Sequence, residues 1–270
     1  MRMICATGGY WKLKNAGLNL DLNCDMGEVP EAIADGTQEA LMCSITSVNI
    51  ACGGHAGDER TMKTTIEQAL RWKLAIGAHP GYADRANFGR VELKLAAKET
   101  ADSVYEQVCA LAEIAAGCGA RVVHVKPHGA LYNQAVKNRE LAKAIADGVA
   151  RWDKSTVLVG LAGSPMLEVF RQDGFAVAAE AFADRRYEAD GTLRSRKLED
   201  ALIRNPEEAA WQALGIAERG LVIASDGSEV AVDAQTLCIH GDTPGAPAIA
   251  AAVARTLREA GVSLLSLSRS

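Results

Sequence analysis

The chain has 270 residues, 49% of them hydrophobic, enough to bury a large core as one α/β barrel or as two small domains. Its 29 basic and 34 acidic residues leave a net charge of −5 with no basic block, so nucleic acid is not an expected partner. No apolar run approaches the roughly 20 residues of a membrane helix, and the first residues lack the charged, apolar and small-residue pattern of a leader.

A cytoplasmic protein without membrane contact is therefore expected, and the seven cysteines, scattered with no CxxC pair, are read as reduced thiols. Residues 1–17 fit no repeating unit and are set apart as an N-terminal extension without an assigned role. From residue 18 onward the chain alternates. Strand-prone runs at 18–24, 47–52, 74–79, 121–126, 156–161, 175–182 and 236–240 end in Gly, His, Asp or Pro, and a helical stretch follows each. An extra strand is expected at 221–224 or 229–232. Helix starts are marked by Asp58 before an amphipathic run at 59–73, by Ser164-Pro165, and by Asn205-Pro206 with Glu208 three beyond the Asn. Thr243-Pro244 is read as the start of the last helix. No linker or low-complexity segment interrupts the pattern, so residues 18–270 are expected to form one domain, a variant TIM-like β/α barrel of seven or eight parallel strands.

Successive side chains of a strand face opposite sides. In the first strand Asp21, Asn23 and Asp25 thus share one face, while Leu20, Leu22 and Cys24 share the other and must meet the helices. The same sorting aligns His124, Lys126 and His128, places His79 after a row of small residues, and turns Thr236, Cys238 and His240 together. In a closed parallel barrel the polar set lies inside, and its strand ends with the following loops form the active site. His55, in the glycine-rich segment after Asn49, and Tyr132, just past His128, join this group. Asp58 fits helix capping and catalysis equally well, Glu28 just beyond the first strand reads as part of its polar site cluster rather than as a helix-cap acid, and His124 is balanced between a core role and a site role. Asp242 fits either orienting His240 or capping the next helix. An ammonium at Lys126 inside a barrel demands a carboxylate such as Asp25 or a bound anion. No GxxxxGK[ST], GxGxxG or GxSxG motif occurs, so neither a conventional nucleotide loop nor a serine hydrolase is expected.

The strings DLNCDMGE from Asp21, NIACGGHAGD from Asn49, AIGAHPGY from Ala75, VKPHGALYN from Val125, FADRRYEADGTL from Phe182 and TLCIHGDTPG from Thr236 resemble the LamB/YcsF family in register along nearly the whole chain. The resemblance implies a barrel akin to those of glycoside hydrolases and deacetylases. It also implies one subunit of an ATP-dependent 5-oxoprolinase, opening 5-oxo-L-proline to L-glutamate with ATP as co-substrate beside two partner subunits. In that light Asp25, His55, His79, Lys126, His128 and His240 are expected to be catalytic, and Asn23, Asn49, Tyr132 and Asp242 to bind substrate. Asp21, Asp25, His55 and His79 could hold a divalent metal, although no tight spacing such as HExxH is present. The chain departs from the family pattern at Val29-Pro30-Glu31, where Ser-Phe-Gly is usual, at Gly54, where an aromatic is usual, and at Val91, where a second arginine is familiar. Two other classes stay open: a metal-dependent deacetylase or carbohydrate hydrolase, disfavoured by an aromatic content of only 5%, and a non-catalytic small-molecule binding subunit.

Overall fold

The computed structural model describes residues 18–243 and 245–267, so the extension set apart at 1–17 and the expected role of Pro244 lie outside the described residues. In chain order the elements are β1 (Asn19–Met26), α1 (Pro30–Ala34), α2 (Thr37–Met42), β2 (Ser47–Ala51), α3 (Glu59–Arg71), β3 (Ala75–His79), α4 (Ala97–Gly117) and β4 (Val122–Val125). There follow α5 (Gly129–Lys137), α6 (Arg139–Trp152), β5 (Val157–Leu161), α7 (Pro165–Gln172), β6 (Ala176–Phe182), α8 (Pro206–Arg219), β7 (Leu221–Ile223), β8 (Glu229–Ala231), β9 (Thr236–His240), α9 (Ala246–Glu259) and β10 (Ser263–Leu264).

Strands β1 to β6 and β9 pair in parallel, each with the next, and β9 pairs again with β1, closing a seven-stranded barrel. The strand expected at 221–224 or 229–232 is two short strands instead. They pair with each other as an antiparallel hairpin, because Asp226-Gly227 turns the chain at once and Gly227 has φ +87°. The two residues of β10 run beside the start of β1.

Local signals explain several helix boundaries. The Asp58 carboxylate accepts the Thr61 backbone N–H at 2.8 Å and the Thr61 hydroxyl returns to Asp58 N, so the ambiguous Asp58 is an exposed helix cap. Asn205 caps α8 by accepting the backbone N–H groups of Glu207 and Glu208, with Pro206 in the first position. Helix α9 begins at Ala246 after Gly245 in the left-handed region, with Pro247 in its first turn.

The outward residues Leu22, Val48, Ile50, Leu158 and Ile239 are fully buried, as are Ile66, Leu111, Ile145, Phe170 and Val253 of the surrounding helices. Each such side chain contributes about 1.5–3 kcal/mol of burial. Inside the barrel, Val157, Val159 and Ala178 form a small apolar floor against which Leu267 packs. The upper interior is polar. No described helix is long and apolar enough to cross a membrane.

Candidate active site

The interior is built in tiers that follow the register of the strands. Deepest, the Asp21 carboxylate accepts the hydroxyls of Thr46 (2.7 Å), Ser47 (2.8 Å) and Thr236 (2.5 Å), and burial raises its pKa against those bonds. Above it the Asn23 amide donates to Thr236 Oγ1 (2.6 Å) and Glu180 Oε1 (3.1 Å), while Asn49 donates to Asn23 Oδ1 (2.7 Å) and Asp25 Oδ1 (2.8 Å). His124 Nε2 donates to Asn49 Oδ1 at 2.8 Å, and burial lowers its pKa to about 3, so it is a neutral interior ring. Its space exists because β3 has glycine opposite: a Cβ on Gly77 would lie 2.0 Å from His124 Nε2.

Lys126 crowns this ladder. Its Nζ lies 2.9 Å from Asp25 Oδ1, 2.8 Å from Glu180 Oε1, 3.2 Å from Asn23 Oδ1 and 3.2 Å from Cys238 Sγ. Burial opposes the charge, but Asp25 and Glu180 together hold the pKa well above the ordinary lysine value. The expected Asp25 partner is present. A second carboxylate, Glu180, completes the compensation, so the ammonium needs no bound anion.

On one side of Lys126, three imidazoles converge on Glu28. His55 Nε2 is 2.8 Å, His128 Nδ1 3.2 Å and His79 Nε2 3.8 Å from Glu28 Oε1. The outer nitrogens are tied to carbonyls: His79 Nδ1 donates to Lys126 O at 2.8 Å and His128 Nε2 to Phe88 O at 2.9 Å. That fixes the tautomers, so His79 Nε2 and His128 Nδ1 face each other at 3.0 Å, with Asp25 Oδ2 3.3 Å from the former. Two lone pairs aimed at one another beside two carboxylates require a cation between them, either a shared proton or a metal ion. Burial opposes charge on His79, yet Asp25 raises its pKa above the usual imidazole value. Glu28 and Asp25, both pushed up by burial, are pulled below the carboxylate range by these histidines and, for Asp25, by Lys126. His55 is stacked flat on His128 with ring centres 3.5 Å apart, and burial lowers its pKa to about 4. Gly89, at φ +61°, and Gly81 allow this packing, since a Cβ on either would lie 2.7 Å from a His55 atom.

Donor atoms of Glu28, His55, His79 and His128 all lie within 4.8 Å of one another, a nitrogen and oxygen set suited to a divalent ion such as zinc. Carbonyls that lock the far nitrogens are the usual outer support of such sites. Asp25, Cys238 and His240 form a second close group, but the Lys126 ammonium already sits between Asp25 and Cys238 and excludes another cation.

Across the cavity, His240 lies stacked on Phe182 with ring centres 5.5 Å apart. Its Nδ1 is 2.9 Å from Asp184 Oδ1, and its backbone N–H donates to Asp184 Oδ2 at 2.9 Å. Burial pushes Asp184 up, but His240 brings its pKa below the usual value, so the carboxylate is ionised, accepts a hydrogen bond from Nδ1–H and leaves His240 Nε2 for the cavity. The arm from 183 to 205 that carries Asp184 is folded by the bridges Arg185 to Leu202 and Tyr187 to Leu193. Tyr187 Oη anchors it by accepting Phe182 N at 2.8 Å.

The resulting cavity has a volume of about 780 Å³ and is lined by Asp25, His79, Lys126, His128, Tyr132, His240 and Asp242 among the residues expected from the sequence. His55 stands behind His128 rather than on the lining. Three expectations are corrected. Asn23 and Asn49 do not line the cavity: they are 2% and 0% exposed and their amides are engaged in the Lys126 ladder. Asp21 lies outside the group that could hold a metal, because three hydroxyls hold it a tier below, and the carboxylate within that group is Glu28. Asp242 neither orients His240 nor caps α9; it forms ion pairs with Arg90 and Arg196 across the cavity rim. Gly54 has no space for the aromatic usual in the family, since a Cβ there would lie 2.4 Å from Gln107 Oε1.

Glu180, Asp184 and Arg185 are not singled out in the sequence, and Glu28 stands there beside the first-strand cluster without a place among the catalytic or metal residues. Strand parity in β6 marks Glu180, the one charged residue of Ala176–Phe182, whereas Asp184 sits beyond the strand end, where capping explains an acid equally well.

The LamB/YcsF family pattern matches residues 20–270. The 5-oxoprolinase A subunit of Heliobacterium modesticaldum is 46% identical over 247 residues, covering 92% of this chain and 97% of that protein. Its counterpart of the same name in Chloroflexus aggregans is 47% identical over 247 residues, covering 92% and 98%. The crystal structure of the lactam utilization protein from Thermus thermophilus matches with a TM-score of 0.85 at 41% identity, covering 93% of this chain and all of that one. With its strand-end motifs, its barrel and more than nine-tenths of its length matched in this way, the chain belongs to the LamB/YcsF family.

Proposed function

We propose that this chain is the A subunit of an ATP-dependent 5-oxoprolinase, working with two partner subunits to open the lactam of 5-oxo-L-proline to L-glutamate while ATP is cleaved to ADP and phosphate. The observation that carries this reading is the near full-length identity to relatives bearing that name. The cavity supports it chemically. A five-membered lactam is a stable amide, so ring opening needs polarisation of the carbonyl, a base for the attacking water and a proton for the departing nitrogen. Phosphorylation of the amide oxygen by ATP is one way to supply the driving force.

His240, with Nδ1 committed to Asp184, offers Nε2 to the cavity as acid or base. On the opposite wall His79 Nε2 and His128 Nδ1 face each other beside Asp25 and Glu28, placed to share one cation between them. Tyr132 lines the cavity, and burial together with Glu180 raises its pKa well above the usual phenol value, so its hydroxyl stays protonated beside that carboxylate. Lys126 keeps Asp25 ionised and supplies a positive field to the reacting oxygen. His55 acts through Glu28 and His128 rather than on substrate. Glu28, His55, His79 and His128 would hold a divalent ion, which when bound polarises a carbonyl or acidifies water.

The test is glutamate formation by the chain with and without its partner subunits. ATP-dependent glutamate in the complete assembly is expected, and its absence there retires the reading. His240→Asn and His128→Asn should each cut turnover by at least about a hundredfold. Near-native rates in both would make the chain a binding subunit instead.

A further inference from the structure

Among the described residues, the ion pairs of the cavity leave one buried cation over, the unpaired Lys197 being an exposed side chain and Lys137 facing Asp190. Arg90 and Arg196 both reach Asp242, Arg194 takes Glu188 and Asp200, and Lys126 takes Asp25 and Glu180. Arg185 lines the same cavity and is only 6% exposed. Among the described residues it forms no ion pair, and one donor, Nη2, is used, on the Arg194 carbonyl at 2.7 Å, while the buried Nε has no partner. Its sequence neighbour Asp184 is committed to His240. Burial, with Arg196 close by, lowers its pKa to about 10, the mark of a guanidinium short of counter-charge. An unpaired buried cation is costly, and a planar fork of five donors suits an oxyanion better than any other ligand.

We propose that Arg185 is the oxyanion anchor of the cavity, receiving a carboxylate or phosphoryl group of the ligand. Lys126, the cation for which a bound anion was the alternative partner, is already satisfied by two carboxylates. The proposal rests on the lactam reading for the ligand's name and on the ion-pair pattern for its charge. A 5-oxoproline carboxylate held at Arg185 keeps the lactam ring in the cavity that His240, His79 and His128 also line.

Calorimetric titration of the full chain tests this, with inorganic phosphate, 5-oxo-L-proline and 2-pyrrolidinone, the last being the ring without its carboxylate. Arg185→Gln should weaken at least one anion by about tenfold or more while leaving 2-pyrrolidinone unchanged. Loss confined to phosphate assigns a phosphoryl group, and loss confined to 5-oxoproline assigns the carboxylate. Melting curves check the fold. If Arg185→Gln does not melt cooperatively, Arg185→Lys decides, with a loss of about threefold or more supporting the anchor. Native affinity for both anions in the folded variant, or no anion binding by the native chain, overturns it. Anion affinity that depends on Arg185 in an assembly making no glutamate would keep the anchor and retire the lactam reading. Glutamate formation with affinity indifferent to Arg185 would do the reverse.

Discussion

At Lys126 the ammonium is clamped between Asp25 and Glu180, so removing it leaves two buried carboxylates without a cation. Lys126→Met is therefore expected to cost about 3–5 kcal/mol in chemical denaturation, and adding Glu180→Gln should recover part of it. A native midpoint for the single variant would mean that the ammonium is not what balances these acids. Asp184 has a different task, since it touches His240 and nothing that reacts. Asp184→Asn should lower kcat by at least about a hundredfold with little change in KM, because the His240 tautomer is released while the cavity keeps its shape. Equal damage to KM would point to a structural role. At the histidine cluster, Glu28→Gln should weaken zinc binding by at least about tenfold in calorimetry, and dialysis against chelator should lower turnover until a divalent ion is restored. Unchanged turnover in metal-free protein would leave the pair bridged by a proton alone.

At the scale of elements, β3 is shaped by what it must leave room for. Gly77 faces inward where β4 presents His124, and the pairing of the two strands shifts register just before it. Gly77→Ala should destabilise the barrel by about 1–3 kcal/mol, the cost of overpacking, and His124→Ala in the same chain should regain part of that loss. A native melting temperature for the single variant would show that the strands part at no cost. The long loop after β3 and the arm after β6 do complementary work. One brings Phe88 and Gly89 against the histidines, the other brings Asp184 and Arg185, and Asp242 ties Arg90 of the loop to Arg196 of the arm.

For the whole molecule, the buried imidazoles set the response to acid. His124 and His55, with pKa values lowered to about 3 and about 4, stay neutral in the fold, while in the unfolded chain they titrate near 6.5. Below about 6.5 the unfolded state thus binds more protons, and stability falls as pH drops toward 4. Asp25 and Glu28, depressed in the fold, add to the loss at lower pH as they become protonated. His79 works the other way, since its raised pKa contributes stability below about 6.5 that is lost as pH rises through its folded value. Urea midpoints measured from about pH 7 to about pH 4 should decline, and His124→Gln should flatten that decline while lowering stability at neutral pH. A flat native profile would mean that His124 is charged in the fold.

The order of elements, the inward face of each barrel strand and most of the cavity lining were determined by residues close together in the chain. Strand parity depends only on i and i+2, and helix caps only on i and i+3, so Asp25, Lys126 and His240 could be turned inward without a partner in view. The same rule pointed at Glu180, whose role became visible only once β6 closed against β9 and β1. What tertiary structure alone decided was who meets whom. Glu28 has no assigned role until three histidines from separate segments reach it, and Asp184 needs β9 alongside β6 before it can fix His240. Asn23 and Asn49 point inward as expected, but only depth in the closed barrel shows that their amides are used up below the cavity. Arg185 differs from its neighbouring arginines by the absence of a counter-charge among the described residues, and that depends on contacts across the whole mouth of the barrel, which no local pattern encodes.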